Sequence, residues 1–270
     1  MTAGPSRAGP KAPLYTGERP CWGQGLFGYD EARALAPYAY VARLADGKRV
    51  LDAGCGEGFG TRTLAQVARS VEGIDYSERA IAYCRRTWSR PELSFRVVDL
   101  TDPAATHPAY DLVISFQVIE HIEDDVRFLE TLRGWLVPGG TVVVVTPNRS
   151  TSFSQNPYHV REYTTAELAA RLRRVFGSVE MLGVHGSERL LAFERRRRRT
   201  VEAILGLDVL GLRRRLPRPL LTFAFARLAV LVRLLLGGDR VASQFGIEDF
   251  PVRAENLDAA LDLLAVCVRP

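Results

Sequence analysis

Apolar runs alternate with amphipathic segments through residues 29–185 of the 270-residue chain. Short apolar runs predict strands starting at Val50 and within 71–76, 93–99, 110–116, 135–148, 178–185 and 263–268. Apolar residues at helical spacing predict helices over 29–45, 64–68, 78–87, 125–136 and 166–176, with Thr164 or Thr165 as the N-cap of the last one. This alternation predicts an α/β fold built on a doubly wound sheet of parallel strands.

Residues 186–257 interrupt the alternation and differ from the rest in charge. Between 195 and 240 the chain has 12 arginines and three acidic residues, a local balance of +9 within a net charge of +5. Residues 219–236 are largely apolar, but Arg227 and Arg233 make a membrane span costly. We expect a helical lid here, with peripheral membrane contact through 205–237 as the alternative. The expected organisation is an extended lead (1–28), a core (29–185), this insertion, and a last strand (258–270) that completes the core.

Composition indicates an ordinary globular protein rather than a metal or nucleic-acid binder. The four cysteines are far apart, which predicts reduced thiols and a cytoplasmic location, and the first 13 residues lack the apolar run of a signal peptide. The four histidines, at 107, 121, 159 and 185, show no metal-ligand spacing, so we expect no bound metal. Arginine outnumbers lysine so strongly that the basic balance is weak support for nucleic-acid binding, and we expect none.

A glycine-rich turn after the first strand is the strongest functional signal. Gly54, Gly56 and Gly58 alternate between the apolar run at Val50 and a helical segment, and Asp75 ends the next strand. This order is typical of a nucleotide-like ligand site, in which a carboxylate on the second strand binds ribose hydroxyls. The dinucleotide pattern Gly-x-Gly-x-x-Gly fits in no register, because its third glycine would fall on Phe59, Thr61 or Thr63.

Residues 50–60 resemble motif I of the class I S-adenosylmethionine-dependent methyltransferases. The strands ending at Asp99 and Phe116, and the Pro-Gly-Gly turn before Asn148, resemble later motifs of that family in the correct order. The resemblance implies a Rossmann-like, seven-stranded sheet whose last strand is antiparallel, and S-adenosylmethionine as cofactor. It assigns the methionine end of the cofactor site to Gly54, Gly56 and Gly58, the ribose to Asp75, the adenine to Asp99 and Leu100, and the wall beneath the cofactor to Phe116. Asp52, Tyr76 and Gln117 are further expected cofactor-binding residues.

Polar residues after the fourth and fifth strands are the candidates for acceptor chemistry. His159 is the first choice for a general base and His121 the second, because methyl transfer to a neutral hydroxyl requires proton removal. Asn148, Tyr158 and Arg161 are expected to contact the substrate. The resulting hypothesis is O-methylation of a small-molecule, sugar or glycan acceptor. A lipid or quinone acceptor at a membrane surface, and a non-catalytic cofactor-binding docking protein, are the alternatives.

Overall fold

A computed structural model describes residues 28–102, 109–152, 156, 158–206, 227, 230–232, 234–235 and 244–270. The strands are β1 Arg49–Ala53, β2 Ser70–Asp75, β3 Leu93–Val97, β4 Tyr110–Phe116, β5 Leu136–Pro147, β6 Ser178–Val184, β7 Val252–Arg253 and β8 Asp262–Val268. The helices are α1 Gly28–Ala45, α2 Thr61–Leu64, α3 Glu78–Thr87, α4 Asp125–Trp135, α5 Thr165–Arg173 and α6 Glu188–Gly206.

The strands form a single mixed sheet in the order β3-β2-β1-β4-β5-β8-β6-β7. Strands β1 to β5 pair in parallel, whereas β8 runs antiparallel to both β5 and β6. The predicted doubly wound fold and the antiparallel last strand are confirmed. An eighth strand, which the sequence did not predict, is added where Val252 pairs with Val184. Two residues are too short a run to show a period, so the pattern could not identify this strand.

Both faces of the sheet are covered, which explains why its strands are continuous apolar runs. On one face, Leu51 and Val144 belong to a buried cluster with Leu132 of α4. On the other face, Val50 belongs to a second cluster with Val41 of α1. The sheet therefore lies in the middle of the core, and the open ends of its strands are left for a site.

Two predicted boundaries differ from the structure. The helix expected over 64–68 is α2, which ends at Leu64, and the following residues form turns in which the Val67 carbonyl accepts a bond from the Gly47 amide. Strand β5 begins at Leu136, before the Pro-Gly-Gly turn, because Leu136 already pairs with Tyr110. In both places backbone groups far apart in the chain pair near the boundary, and local propensity does not report such pairs.

The first helix of the predicted insertion packs on α1. Tyr29 of α1 meets Phe193 of α6 and Phe250 at ring-centroid distances of 5.7 and 5.5 Å, and Arg197 lies over the Tyr29 ring. Most of 205–237, the lead 1–27 and His107 lie outside the described residues, so the expected lead and the apolar helix at 219–236 stay predictions. Within the described part of the chain, no helix is long and apolar enough to cross a membrane.

Helix α5 begins with a complete capping box, which decides between the two predicted N-caps. The Thr164 hydroxyl accepts a hydrogen bond from the Glu167 amide, and the Glu167 carboxylate accepts one from the Thr164 amide. Thr165 is already the first helical residue. Thr164 therefore fixes the direction in which the chain leaves the loop that precedes α5.

We expect Thr164→Ala to lower the free energy of unfolding by about 1 kcal/mol, because the Glu167 amide loses its acceptor. The matched variant Thr165→Ala should change it by less than about 0.5 kcal/mol. Urea denaturation of both variants checks this. Equal losses in the two variants would show that the cap contributes nothing specific.

Candidate active site

The glycine turn joins β1 to α2 in a conformation that side chains disfavour. Gly54, Gly56 and Gly58 all have positive φ angles, of 92°, 55° and 74°. A Cβ on Gly54 would lie 2.3 Å from a methyl carbon of Val118, and one on Gly58 would lie 2.9 Å from the Phe95 ring. Glycine is therefore required twice over at these positions, by backbone conformation and by close packing.

Asp75 is buried at the end of β2 and fastens the glycine turn. One of its carboxylate oxygens accepts a hydrogen bond from the Gly56 amide, and the other accepts one from the Ser77 amide, both at 2.9 Å. A carboxylate has about four acceptor positions, so these bonds are compatible with the predicted ribose contact. Tyr76, the next residue, exposes 65% of its surface beside this carboxylate.

Asp52, at the end of β1, has one satisfied and one unsatisfied oxygen. Its Oδ2 accepts hydrogen bonds from the Tyr38 hydroxyl at 3.0 Å and the Thr61 hydroxyl at 2.6 Å. Its Oδ1 is buried and has no hydrogen-bond partner among the described residues. Burial raises the pKa of Asp52 to about 7 in spite of the two donors, and nearby Asp75 adds to the rise. A cationic group fits this oxygen, and the ammonium of a bound methionine moiety is such a group.

The predicted adenine and wall residues differ in exposure. Asp99 is exposed, and its Oδ1 accepts bonds from the Thr101 hydroxyl and amide, which lower the pKa of Asp99. Leu100 is buried in the core. Phe116 is also buried, and the Tyr38 ring meets it edge-on at 4.8 Å. These positions line the ends of β3 and β4 on either side of β1 and β2.

Gln117 has a bracing role that the sequence did not predict. Its φ is 57°, unusual for a residue other than glycine, and its amide nitrogen donates to Asp262 at 3.2 Å. Arg33 of α1 binds the same carboxylate through two nitrogens, at 2.7 and 2.8 Å. The side chain of Gln117 thus links the end of β4 to β8 and, through Asp262, to α1.

The two candidate bases meet although they are 38 positions apart in the chain. The His121 and His159 rings lie 5.0 Å apart, nearly perpendicular. The Nδ1 atom of His121 lies 3.0 Å from the Tyr158 carbonyl oxygen. The Nδ1 atom of His159 lies 2.8 Å from a Glu162 carboxylate oxygen, and its Nε2 lies 2.9 Å from the side-chain nitrogen of Asn156. Both imidazoles are therefore held by a partner on Nδ1.

Glu120, the residue before His121, is a further functional candidate. It is fully buried, its Oε2 accepts a bond from the Thr146 hydroxyl, and its Oε1 has no hydrogen-bond partner among the described residues. Burial raises the pKa of Glu120 to about 8. The sequence signal was its place beside His121. The contact with Thr146 of β5 and the complete burial were not visible in the sequence.

Two of the predicted substrate contacts, Asn148 and Arg161, form hydrogen bonds within the protein. Asn148 is fully buried, and its amide donates to the carbonyl oxygens of Leu257 and Ala260, so it braces the segment before β8. Arg161 donates to the carbonyl oxygens of Ile122 and Glu123 and pairs with Asp125. Both residues fasten loops to the core, and their contact with a substrate stays a prediction. Tyr158 is half-buried beside His121 and stays a predicted contact.

Comparisons with known proteins identify the same part of the chain. A family model described as a methyltransferase domain matches residues 29–185. A probable S-adenosylmethionine-dependent methyltransferase of Mycolicibacterium smegmatis is 39% identical over 68% of this chain and 73% of its own length. A protein of Mycobacterium tuberculosis with the same description is 33% identical over 98% of this chain and 93% of its own length.

Two further similarities are weaker. A ubiquinone biosynthesis O-methyltransferase of Rhizobium etli is 35% identical over 111 residues, which is 40% of this chain and 45% of that enzyme. A solved Thermotoga maritima protein, described as a possible histamine N-methyltransferase, superposes with a TM-score of 0.57 over 90% of this chain and 93% of its own, at 14% identity. The structural match supports the fold alone.

We expect S-adenosylmethionine to bind roughly 5–10-fold more tightly at pH 7.5 than at pH 6, because its ammonium pairs with the ionised form of Asp52. Asp52 has a pKa of about 7 in the unliganded protein, so acid protonates the carboxyl and removes the partner of the ammonium. Isothermal titration across this range measures the effect. Asp52→Asn, which cannot ionise, should bind more weakly at pH 7.5 and lose the dependence; an equally steep dependence in that variant would assign it to another group.

Proposed function

This chain belongs to the class I S-adenosylmethionine-dependent methyltransferases, and we propose that it methylates an oxygen of a small-molecule, sugar or glycan acceptor. The observation that carries the proposal is the position of the two imidazoles relative to the glycine turn. Val118 packs against Gly54, and the His121 amide bonds to the Val118 carbonyl, so the segment bearing His121 adjoins the cofactor end of the site. An acceptor bound between the glycine turn and the two imidazoles has the methyl donor on one side and the proton-accepting imidazoles on the other.

The cofactor supplies a methyl group on a sulfonium, which is already activated toward a nucleophile. The residues of this chain bind and orient it: the glycine turn shapes the cavity, Asp75 is assigned to the ribose, and the unsatisfied oxygen of Asp52 to the ammonium. The acceptor must then be held in line with the methyl group, in a site from which water is excluded.

His159 is the first choice for the base that removes the acceptor proton, and His121 the second. The Glu162 carboxylate beside Nδ1 of His159 favours a proton on Nδ1, so that Nε2 carries the lone pair. Nε2 now faces the amide of Asn156, which an acceptor hydroxyl would displace. His121 has the same tautomer preference through the Tyr158 carbonyl oxygen, which can only accept.

A lipid or quinone acceptor is the second candidate. The partial similarity to the Rhizobium ubiquinone O-methyltransferase supports it, and so do exposed apolar side chains within the insertion, where Leu231, Leu234 and Leu235 show about half of their surface. Exposed leucines and the arginines of α6 suit the surface of an anionic membrane. A docking protein that binds the cofactor without turnover is the alternative from another functional class.

Calorimetric titration with S-adenosylmethionine and with S-adenosylhomocysteine should give saturable binding of both, as a transferase must bind donor and product. Incubation with extracted metabolites should give a mass gain of 14 Da in a hydroxyl-bearing acceptor, measured by mass spectrometry. Gains confined to the lipid fraction favour the second candidate. Binding of both compounds with no gain in any fraction would leave only the docking protein.

We expect His159→Ala to lower kcat roughly 100-fold while leaving the cofactor Kd unchanged, because the imidazole acts on the acceptor side alone. Steady-state kinetics on the acceptor identified above measures it. His185→Ala, a histidine on the insertion side of β6, is the matched control and should retain activity. An unchanged rate in His159→Ala with a lowered rate in His121→Ala would transfer the role to His121.

A further inference from the structure

Three side chains that commonly bind metals converge at the acceptor end of the site. Glu120, His121 and His159 can each offer one ligand atom such that the three atoms lie within 4.8 Å of one another. Glu120 and His121 belong to the 3-10 turn Ile119–His121 after β4, and His159 belongs to the loop between β5 and α5. Two histidines and one carboxylate are a ligand set found at catalytic metal centres that keep an open position.

The carboxyl group in this cluster has one oxygen without a hydrogen-bond partner among the described residues. Glu120 is 0% exposed, and only its Oε2 is bonded, to the Thr146 hydroxyl at 2.9 Å. Its Oε1 is buried with no hydrogen-bond partner among the described residues. A buried carboxylate oxygen is costly to leave unsatisfied, and a cation bound to it removes that cost.

The two imidazoles have the outer contacts of metal ligands. Metal-binding histidines usually donate their other ring nitrogen to a carboxylate or a carbonyl, which fixes the tautomer. Here Nδ1 of His159 lies 2.8 Å from Glu162, and Nδ1 of His121 lies 3.0 Å from the Tyr158 carbonyl oxygen. Each contact puts the proton on Nδ1 and the lone pair on Nε2.

We propose that Glu120 Oε1, His121 Nε2 and His159 Nε2 bind a first-row divalent cation, such as Zn²⁺ or Mn²⁺, to which the acceptor hydroxyl adds as a further ligand. The Asn156 amide leaves Nε2 of His159 when the cation binds. The sequence-based expectation of no metal depended on the spacing of histidines along the chain. The loop that carries His159 brings it next to His121 in the fold, so that spacing does not exclude a metal site here.

This inference rests on the proposed O-methyl transfer and gives His159 a different part in it, as a ligand instead of the base. The cation lowers the pKa of the bound acceptor hydroxyl, whose proton passes to solvent water. The oxygen electron pair forms the new O–CH₃ bond, the S–CH₃ bond breaks, and sulfur keeps its electron pair in S-adenosylhomocysteine. Atoms and charge balance without another reactant.

The test is a titration of the full-length protein with Co²⁺, followed by its visible absorption, and with Zn²⁺, followed by calorimetry. We expect one saturable site of high affinity for each ion. Glu120→Gln and His159→Gln should abolish it, and Glu162→Gln should weaken it about 10–100-fold. Glu123→Gln and His185→Gln are matched controls for a carboxylate and an imidazole outside the cluster, and they should bind as the unaltered protein does.

Thermal denaturation and S-adenosylmethionine titration establish that each variant is folded. If Glu120→Gln does not fold, the cation affinity of Glu162→Gln decides the test instead. Absence of Co²⁺ and Zn²⁺ binding at millimolar concentrations, or unaltered binding by Glu120→Gln, would overturn the inference. Full methyl transfer after removal of metal by chelation would also overturn it, and would leave the proposed function intact with His159 as the base. Cation binding by the cluster with no transfer to any hydroxyl would instead contradict the proposed function and leave the metal site standing.

Discussion

Burial of carboxyl groups at one edge of the sheet is the constraint on which the site depends. Asp52, Asp75, Glu120 and Asp262 are all at most 3% exposed, and each lies at or just beyond the end of a strand at this edge. A carboxylate removed from water requires donors or cations. Asp75 receives two backbone amides, and Asp262 receives Arg33 and Gln117. Asp52 and Glu120 each keep one oxygen with no partner among the described residues. The oxygen of Asp52 lies in the cofactor half of the site, and the oxygen of Glu120 lies in the acceptor half.

Helix α1 links both halves, which accounts for its position across the sheet edge. Its Tyr38 donates to Asp52 on the cofactor side, and its Arg33 pairs with Asp262 on the acceptor side. Tyr29, at its start, packs against α6. A change in the packing of α6 against Tyr29 would therefore be transmitted to the buried carboxyl groups through α1. The ion pair of Arg33 and Asp262 connects α1 to the first residue of β8.

The sequence predicted the doubly wound sheet and the glycine turn, because the patterns that indicate them are local. Alternating glycines and a strand-end carboxylate are a short-range pattern, and the structure confirms the turn conformation at Gly54, Gly56 and Gly58. The acceptor half is assembled from residues far apart in the chain, so spacing carried little information there. Asn148 and Arg161 are residue types that often contact substrates. In the folded chain, both donate hydrogen bonds to backbone carbonyl groups that are distant in the sequence. The burial of Glu120 depends in the same way on packing against β5.

The insertion joins the sheet at the edge that carries the site, as the strand directions show. Strand β6 runs antiparallel to β8, as β5 does, so β6 ends at the same edge as the glycine turn and the histidine pair. The insertion leaves the sheet at that edge and returns through β7. The alignment with the Rhizobium ubiquinone O-methyltransferase spans 111 residues and cannot include both the core at 29–185 and the insertion that follows. That similarity therefore bears on methyl transfer and only weakly on a quinone acceptor. The match to the Mycobacterium tuberculosis relative covers 98% of this chain and so includes the insertion as well as the core.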